Sequence, residues 1–469
     1  MRSLVVLVVL CLAASPACGQ STTDDPFPEP IEATQDVIVV GYEEFATLPD
    51  LDGIAARMML LVDEPGTGRM FVNDMRGPLY VVSYEGGPAS LYLNIDDDRW
   101  GVSVESRSRE RGFQSFAFHP QFAQAGSPGY GKFYTWTDTD NTDPTPDFRP
   151  KGGDNTHDTV LLEWTAQNPA NPTYDGGPPR EILRLEQPFG NHNAGHLSFN
   201  PTAEPGDPDY GLLYIGVADG GSGGDPLDMA QDLSSAFGKV FRIDPLGSNS
   251  ANGKYGIPAD NPFVDDGDDA TLGEIYAYGV RNPQRFGWDP ENGNMYLADI
   301  GQNIVEEVSP VTRGANLGWN DWEGSFRFIS RSEVDVSSPR SDPSVTYPIA
   351  EWGQLDPLLQ SSSAATGVHV YRDGDIDQLE DLILFGDFPS GEIFYVSADN
   401  PPDGGQDPIR RVLLRDGGEA KTFLQVIQDK NREQGREVAT RADLRFGAGP
   451  DDQLFLLNKA DGTIRRLVP

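Results

Sequence analysis

One pattern recurs six times along the 469-residue chain and constrains its fold more than any other feature: a turn, an apolar strand, a second turn and another strand. The copies begin near Pro65 (GTGRMFVNDMRGPLYVVS), Gly129 (YGKFYTWTD), Tyr210 (GLLYIGVADG), Asn292 (GNMYLADIG), Glu380 (DLILFGDFPSGEIFYVS) and Asp451 (DQLFLLNKADGTIRRLV). Each strand is rich in β-branched or aromatic residues and bounded by Gly, Asp or Asn, the local signature of hairpins. Their spacing of about 60 to 90 residues is long for a minimal propeller blade and suits blades with inserted loops. The 52 glycines and 38 prolines also favour short strands and turns. Helical periodicity is confined to residues 423–436 and 228–237, neither with a clean apolar stripe. The expected fold is all-β, a six-bladed β-propeller with long inter-strand loops, whose radial repetition leaves only short, protected edges. Residues 36–42 (DVIVVGY) are expected to close the ring against the C-terminal blade. An array of β-sandwiches is the competing architecture.

Charge removes several function classes. With 35 Lys+Arg against 73 Asp+Glu the formal balance is −38, so no nucleic-acid partner is expected, because nonspecific binding needs cations to displace phosphate counterions. Anionic membrane surfaces are disfavoured for the same Coulombic reason. A hydrophobic share of 38%, with 10% aromatics, is enough to bury a large core and excludes disorder over most of the length.

The N-terminus carries Arg2 before an apolar run, residues 4–14, that is too short to span a bilayer and suits a secretory leader. Residues 1–17 are therefore expected to be a signal peptide, 18–35 a polar linker and 36–469 a single propeller domain. Both cysteines, Cys11 and Cys18, fall in or beside the leader, which leaves the folded body without a disulfide, thiolate metal site or Cys nucleophile. Cys18 is a candidate lipid anchor, although Ser15 stands where a lipoprotein signal prefers Leu, so anchored and free forms stay open. No later segment is apolar enough to cross a membrane, and the expected location is periplasmic or extracellular.

Loops far apart in sequence gather around a propeller's channel, and several carry chemistry-bearing residues. His192 and His196 share one loop, and imidazole is the natural general base near neutral pH; two structural loop histidines are the alternative. Asp219 follows an apolar strand in a Gly-rich turn, where a carboxylate can hold an imidazole in one tautomer or simply cap an Asx turn. The acidic clusters at 96–98, 138–143 and 265–269 do not fit EF-hand spacing and are expected to be solvated surface.

The motifs GFQSFAFHPQF (112–122), NHNAGHLSFNP (191–201), YGLLYIGVADGG (210–221), AQDLSSAFGKVFRIDP (230–245), GEIYAYGVRNPQRFGWDP (273–290) and GQNIVEEVSPVTRGANLGWNDWEG (301–324) together resemble the glucose/sorbosone dehydrogenase family. These are quinoproteins that use pyrroloquinoline quinone (PQQ) and calcium on a six-bladed propeller. The resemblance spans most of the chain beyond residue 50. It implies that His192 takes the proton of a sugar's anomeric hydroxyl and that Asp219 orients it. It also implies that Arg281, Asn282, Glu110 and Arg441 contact PQQ, whose three carboxylates demand local guanidinium groups in so acidic a protein. Carbonyls of Gly301 and Gln302 would hold the catalytic Ca2+, and Glu306 and Glu307 would belong to a second, structural calcium site, oxygen being calcium's ligand of choice.

The resemblance places a PQQ-gripping lysine near residues 387–391, where this chain has none, and two arginines near 441–445, where Arg441 and Arg445 stand in a shifted register. The expected function is oxidation of an aldose sugar to its lactone, with electrons passed to an external acceptor. A non-catalytic calcium-binding propeller for a sugar or protein ligand, and a metal-dependent lactonase, are the alternatives. No nicotinamide site is expected, since no strand-linked G-x-G-x-x-G is present.

Overall fold

The computed structural model describes residues 21–359 and 362–469, so the leader and Cys18 lie outside the described residues. The architecture is all-β, with 38% strand and 5% helix. Among the described residues, six antiparallel runs of four strands follow one another; parallel pairing joins the fifth, sixth and first into one continuous sheet, and a further small sheet pairs Thr22–Thr23, Glu333–Asp335, Phe326–Ser330 and Trp322–Glu323. The first holds Met58–Glu64, Arg69–Asp74, Pro78–Ser83 and Ser90–Asn94. The second holds Phe113–Phe118, Lys132–Thr139, His157–Thr165 and Arg180–Gln187. The third holds Ala194–Phe199, Leu213–Val217, Lys239–Ile243 and Ile275–Tyr278. The fourth holds Pro283–Trp288, Met295–Asp299, Val305–Val311 and Ala350–Gly353. The fifth holds Ala365–Tyr371, Leu382–Asp387, Ile393–Ser397 and Arg410–Asp416. The sixth joins Arg445–Ala448, Leu454–Leu457 and Thr463–Val468 to Ile38–Thr47, which pairs antiparallel with Thr463–Val468.

Each sequence repeat supplies the second strand of a run, which is paired on both sides and almost wholly buried. The core is divided accordingly. Phe71, Phe116 and Trp164 pack between the first and second runs. Trp136, Leu197 and Phe241 pack between the second and third. The series continues to Met58, Val72 and Phe455, which couple the sixth run back to the first. The first strands of the six runs touch one another in cyclic order. Two sets of loops consequently meet at one end of these strands: those leading into each first strand, and those joining each second strand to the third.

Two expectations are corrected. Residues 228–237 form turns rather than a helix. The Asp225 carboxylate accepts from the amides of Met229 and Ala230 at 2.8 Å each, and the Lys239 ammonium donates to the carbonyls of Met229, Ala230 and Phe237, taking the groups a helix would pair internally. Part of the stretch expected as a linker is docked: Thr22–Thr23 pairs with Glu333–Asp335, and buried Ile31 donates its amide to Asp356 at 2.7 Å. The expected helix near 423 runs Phe423–Gln434, opens with a capping box between Thr422 and Gln425, and buries an apolar face of Phe423, Leu424, Val426 and Ile427 that the sequence pattern understated.

Candidate active site

The two loop sets enclose a cavity of about 280 Å³. Glu110, His192, Arg281, Asn282 and Arg441, each just before a first strand, line it together with Gly301 and Gln302 from the turn after a second strand. Seven of the ten residues to which the resemblance assigns a role thus share one cavity. Asp219 stands one hydrogen bond behind it, and Glu306 and Glu307 lie in the adjoining strand Val305–Val311. His196 does not join them. Its Nδ1 accepts from the Phe286 amide at 3.2 Å, and the ring lines a separate cavity toward the opposite ends of the first strands, as a structural histidine.

His192 Nδ1 lies 2.8 Å from Asp219 Oδ1, so Nδ1 carries the proton and donates to the carboxylate. Nε2 has no hydrogen-bond partner among the described residues and is the ring's open lone pair. Asp219 is buried, and its carboxylate is saturated from behind by the Gly221 amide at 2.8 Å and by Trp319 Nε1 at 2.9 Å. The His192 backbone takes a left-handed φ of 53°, a cost that persists only where neighbours enforce it. Its amide donates to Glu110 Oε2 at 3.2 Å and its carbonyl accepts from Gly220 at 3.2 Å. Glu110 therefore orients the histidine loop, a role the sequence did not show.

Arg281 is held over the same space. Its amide and that of Asn282 donate to the two oxygens of buried Asp299 at 2.7 and 2.6 Å, and its carbonyl accepts from the Asp219 amide at 2.8 Å. The guanidinium donates to the Ile300 carbonyl at 2.8 Å and to Gln302 Oε1 at 3.3 Å, and it lies 5.5 Å from the Trp319 ring. Among the described residues Arg281 Nε is buried without a partner. On the opposite wall the Arg445 guanidinium stacks 4.0 Å from the Phe388 ring and donates to Thr366 Oγ1 and to Gln284 Oε1, while its Nε has no partner. Gln284 in turn donates to Asn282 Oδ1 at 2.9 Å, linking the two walls. Arg441 is paired with Asp443 at 3.0 Å. Guanidinium donors left open in a buried cavity suit an anionic ligand with several carboxylates.

The calcium expectations meet a dense group of acids. Glu323 Oε1 accepts from four consecutive amides, Gln302 to Val305, at 2.8 to 3.1 Å, which pins the turn that carries Gly301 and Gln302. Glu306 is fully engaged by the amides of Gly301 and Ala365 and by Gln354. Glu307 Oε2 and Glu323 Oε2 are buried with no partner among the described residues. Burial, then the carboxylates of Asp299, Glu351, Glu323 and Glu306, push Glu307 well above the usual carboxylate range. Unpartnered hard oxygens among mutually repelling acids fit a cation such as calcium. By contrast, Glu291, Asp381 and Asp399 also converge, but the Arg372 guanidinium already bridges them.

The glucose/sorbosone dehydrogenase family profile matches residues 58–412. The HIPL1 protein of Arabidopsis thaliana is 27% identical over 381 residues, 74% of this chain and 53% of its own length. The aldose sugar dehydrogenase YliI of Escherichia coli is 23% identical over 285 residues, 60% of this chain and 61% of its own. The chain thus spans little more than half the length of these curated relatives. Among solved structures, the PQQ-bound aldose sugar dehydrogenase of Streptomyces coelicolor superposes with a TM-score of 0.55 at 18% identity, covering 97% of this chain and 99% of that one. At that identity the likeness establishes a shared fold.

Proposed function

The chain belongs to the glucose/sorbosone dehydrogenase family, and from that premise we propose that it is an exported six-bladed propeller enzyme, periplasmic or extracellular, that oxidises the anomeric carbon of an aldose to the lactone with PQQ and calcium. The observation that carries this reading is the open Nε2 of His192, braced through Nδ1 by Asp219, in the same cavity as the unpartnered guanidinium donors of Arg281 and Arg445.

Arg281, Arg445 and Arg441 would hold the carboxylates of PQQ, and oxygens of the 301–302 turn would hold the catalytic calcium. When bound, the quinone supplies the hydride acceptor and calcium its electrophilic activation. His192 Nε2 accepts the anomeric hydroxyl proton. Asp219 stabilises the resulting imidazolium, an arrangement that contributes roughly 10²- to 10⁴-fold in general base catalysis. Trp319 and Gly221 keep Asp219 from rotating away, and Glu110 holds the left-handed His192 backbone in place. The two reducing equivalents released by the sugar would pass to an external acceptor.

Dye reduction by the apoprotein supplied with PQQ and calcium, over a panel of aldoses, tests the reading. Turnover that needs both additions and disappears in His192→Ala, with PQQ uptake retained, is expected. Lactone hydrolysis without quinone, or quinone uptake with no turnover of any aldose, would overturn it. The Arg441–Asp443 pair and the lysine-free 387–391 segment favour the second reading, a calcium-binding module without turnover.

A further inference from the structure

The turn between the second and third strands carries Asp219 in the third run, Gly301 and Gln302 in the fourth, and Phe388 in the fifth. In the sixth run the same turn carries Lys459, one of only seven lysines in the chain. The turn is tight, because Asn458 Oδ1 accepts from the amides of Ala460 and Asp461 at 2.7 and 3.0 Å. Lys459 Nζ reaches 5.2 Å from the Phe388 ring centroid and 3.4 Å from the Arg109 carbonyl, and both Phe388 and Arg109 line the cavity. Around that same ring lie Arg445 at 4.0 Å and Arg441 at 5.4 Å.

Counter-charge is scarce here. Among the charges that act most strongly on Lys459 are three guanidinium groups, Arg445, Arg57 and Arg285, and one carboxylate, Asp443. That carboxylate is already bound to Arg441, and the adjacent Asp461 is spent on Arg465 at 2.7 Å. Among the described residues Arg445 Nε and Arg285 Nε are buried without partners, and Lys459 engages only one of its three donors, in one long contact. Burial holds the Lys459 ammonium well below the usual lysine range. Grouped cations with open donors and little counter-charge are costly unless an anion completes them.

We propose that Lys459, together with Arg445 and Arg441, grips a carboxylate of the anionic cofactor, so that the sixth run's turn supplies the ammonium that residues 387–391 lack. The inference rests on the quinoprotein reading above. Lys459 acts by binding and takes no part in proton transfer.

Equilibrium titration with PQQ in the presence of calcium, followed by quenching of tryptophan fluorescence, tests it on wild type, Lys459→Met, Lys459→Arg and Lys430→Met, the last a surface lysine paired with Glu44 and Glu433. Loss of one charge-assisted contact predicts about 10- to 100-fold weaker PQQ binding in Lys459→Met, whereas Lys459→Arg stays within about fivefold and Lys430→Met matches wild type. Acetylation of Lys459 in wild type, read by mass spectrometry, is expected to slow at least about fivefold when PQQ is added, a result independent of how the variants fold. Binding by Lys459→Met within about threefold of a PQQ-binding wild type, or acetylation at an unchanged rate with PQQ bound, overturns this inference alone. Wild type that takes up no PQQ overturns the functional reading and this inference with it.

Discussion

His192 Nδ1 and Asp219 Oδ1 meet at 2.8 Å from two different loops, one leading into a first strand and the other following a second strand of the same run. The carboxylate selects the tautomer that leaves Nε2 as the acceptor. Asp219→Asn removes the charge that stabilises the imidazolium and permits the wrong tautomer, so kcat is expected to fall about 10²- to 10⁴-fold with PQQ affinity within about threefold of wild type. Steady-state kinetics beside a quinone titration checks this.

Trp319→Phe keeps a ring beside Arg281 and deletes the N–H that Asp219 Oδ2 accepts. A carboxylate with one restraint fewer is freer to turn away from His192 Nδ1, so kcat is expected to fall about 10-fold with PQQ affinity within about threefold of wild type, as steady-state kinetics beside a quinone titration would read. An unchanged kcat would show that the indole bond does not position the pair.

Glu323→Gln replaces a carboxylate that gathers four amides of the 302–305 turn with a neutral amide. Charge-assisted bonds are worth roughly 1.5–3 kcal/mol, and the variant is expected to lose stability on that order. It also removes one of the two unpartnered oxygens of the Glu307 and Glu323 pair. Calcium should accordingly raise the thermal midpoint of wild type more than that of the variant, as measured by calorimetry with and without the ion.

Asp138 is fully buried, accepts from Thr159 Oγ1 and the Gly112 amide, and begins a chain that runs through Thr159 and Gln187 to Asn193, next to His192. Burial pushes its carboxyl up to about 7 from an ordinary 3.8. The folded state holds the proton more tightly than the unfolded chain, so the stability Asp138 contributes is complete below about pH 4 and is lost as pH rises through about 7. The difference is worth a few kcal/mol, at about 1.4 kcal/mol per pKa step. Urea denaturation at several pH values is expected to show wild type losing stability relative to Asp138→Asn across that window. Parallel pH dependence of the two proteins would contradict the assignment.

Much of the site was legible because its residues sit at chemically marked points. The Asn191-His192-Asn193 and Arg281-Asn282 motifs precede strands that start at Ala194 and Pro283, and Asp219 stands in a run of glycines after Val217. Trp319 was visible only as part of a motif, because its partner Asp219 lies 100 residues away. The same holds for Gln284, which bridges to Arg445 161 residues on. The turn at 228–237 misled, since Lys239 and Asp225 compete for backbone groups through contacts that helical periodicity does not register.

The all-β character and the strongly acidic balance were determined by the sequence alone, because alternation, turn residues and charge act within a few positions of one another. Which loops face each other was decided only by the tertiary structure. Glu110 under the His192 amide, Glu323 beneath four amides and Lys459 beside Phe388 are pairings created when the runs pack in cyclic order. Burial then gives those pairings their strength, since the same groups in water would be solvated and indifferent to one another.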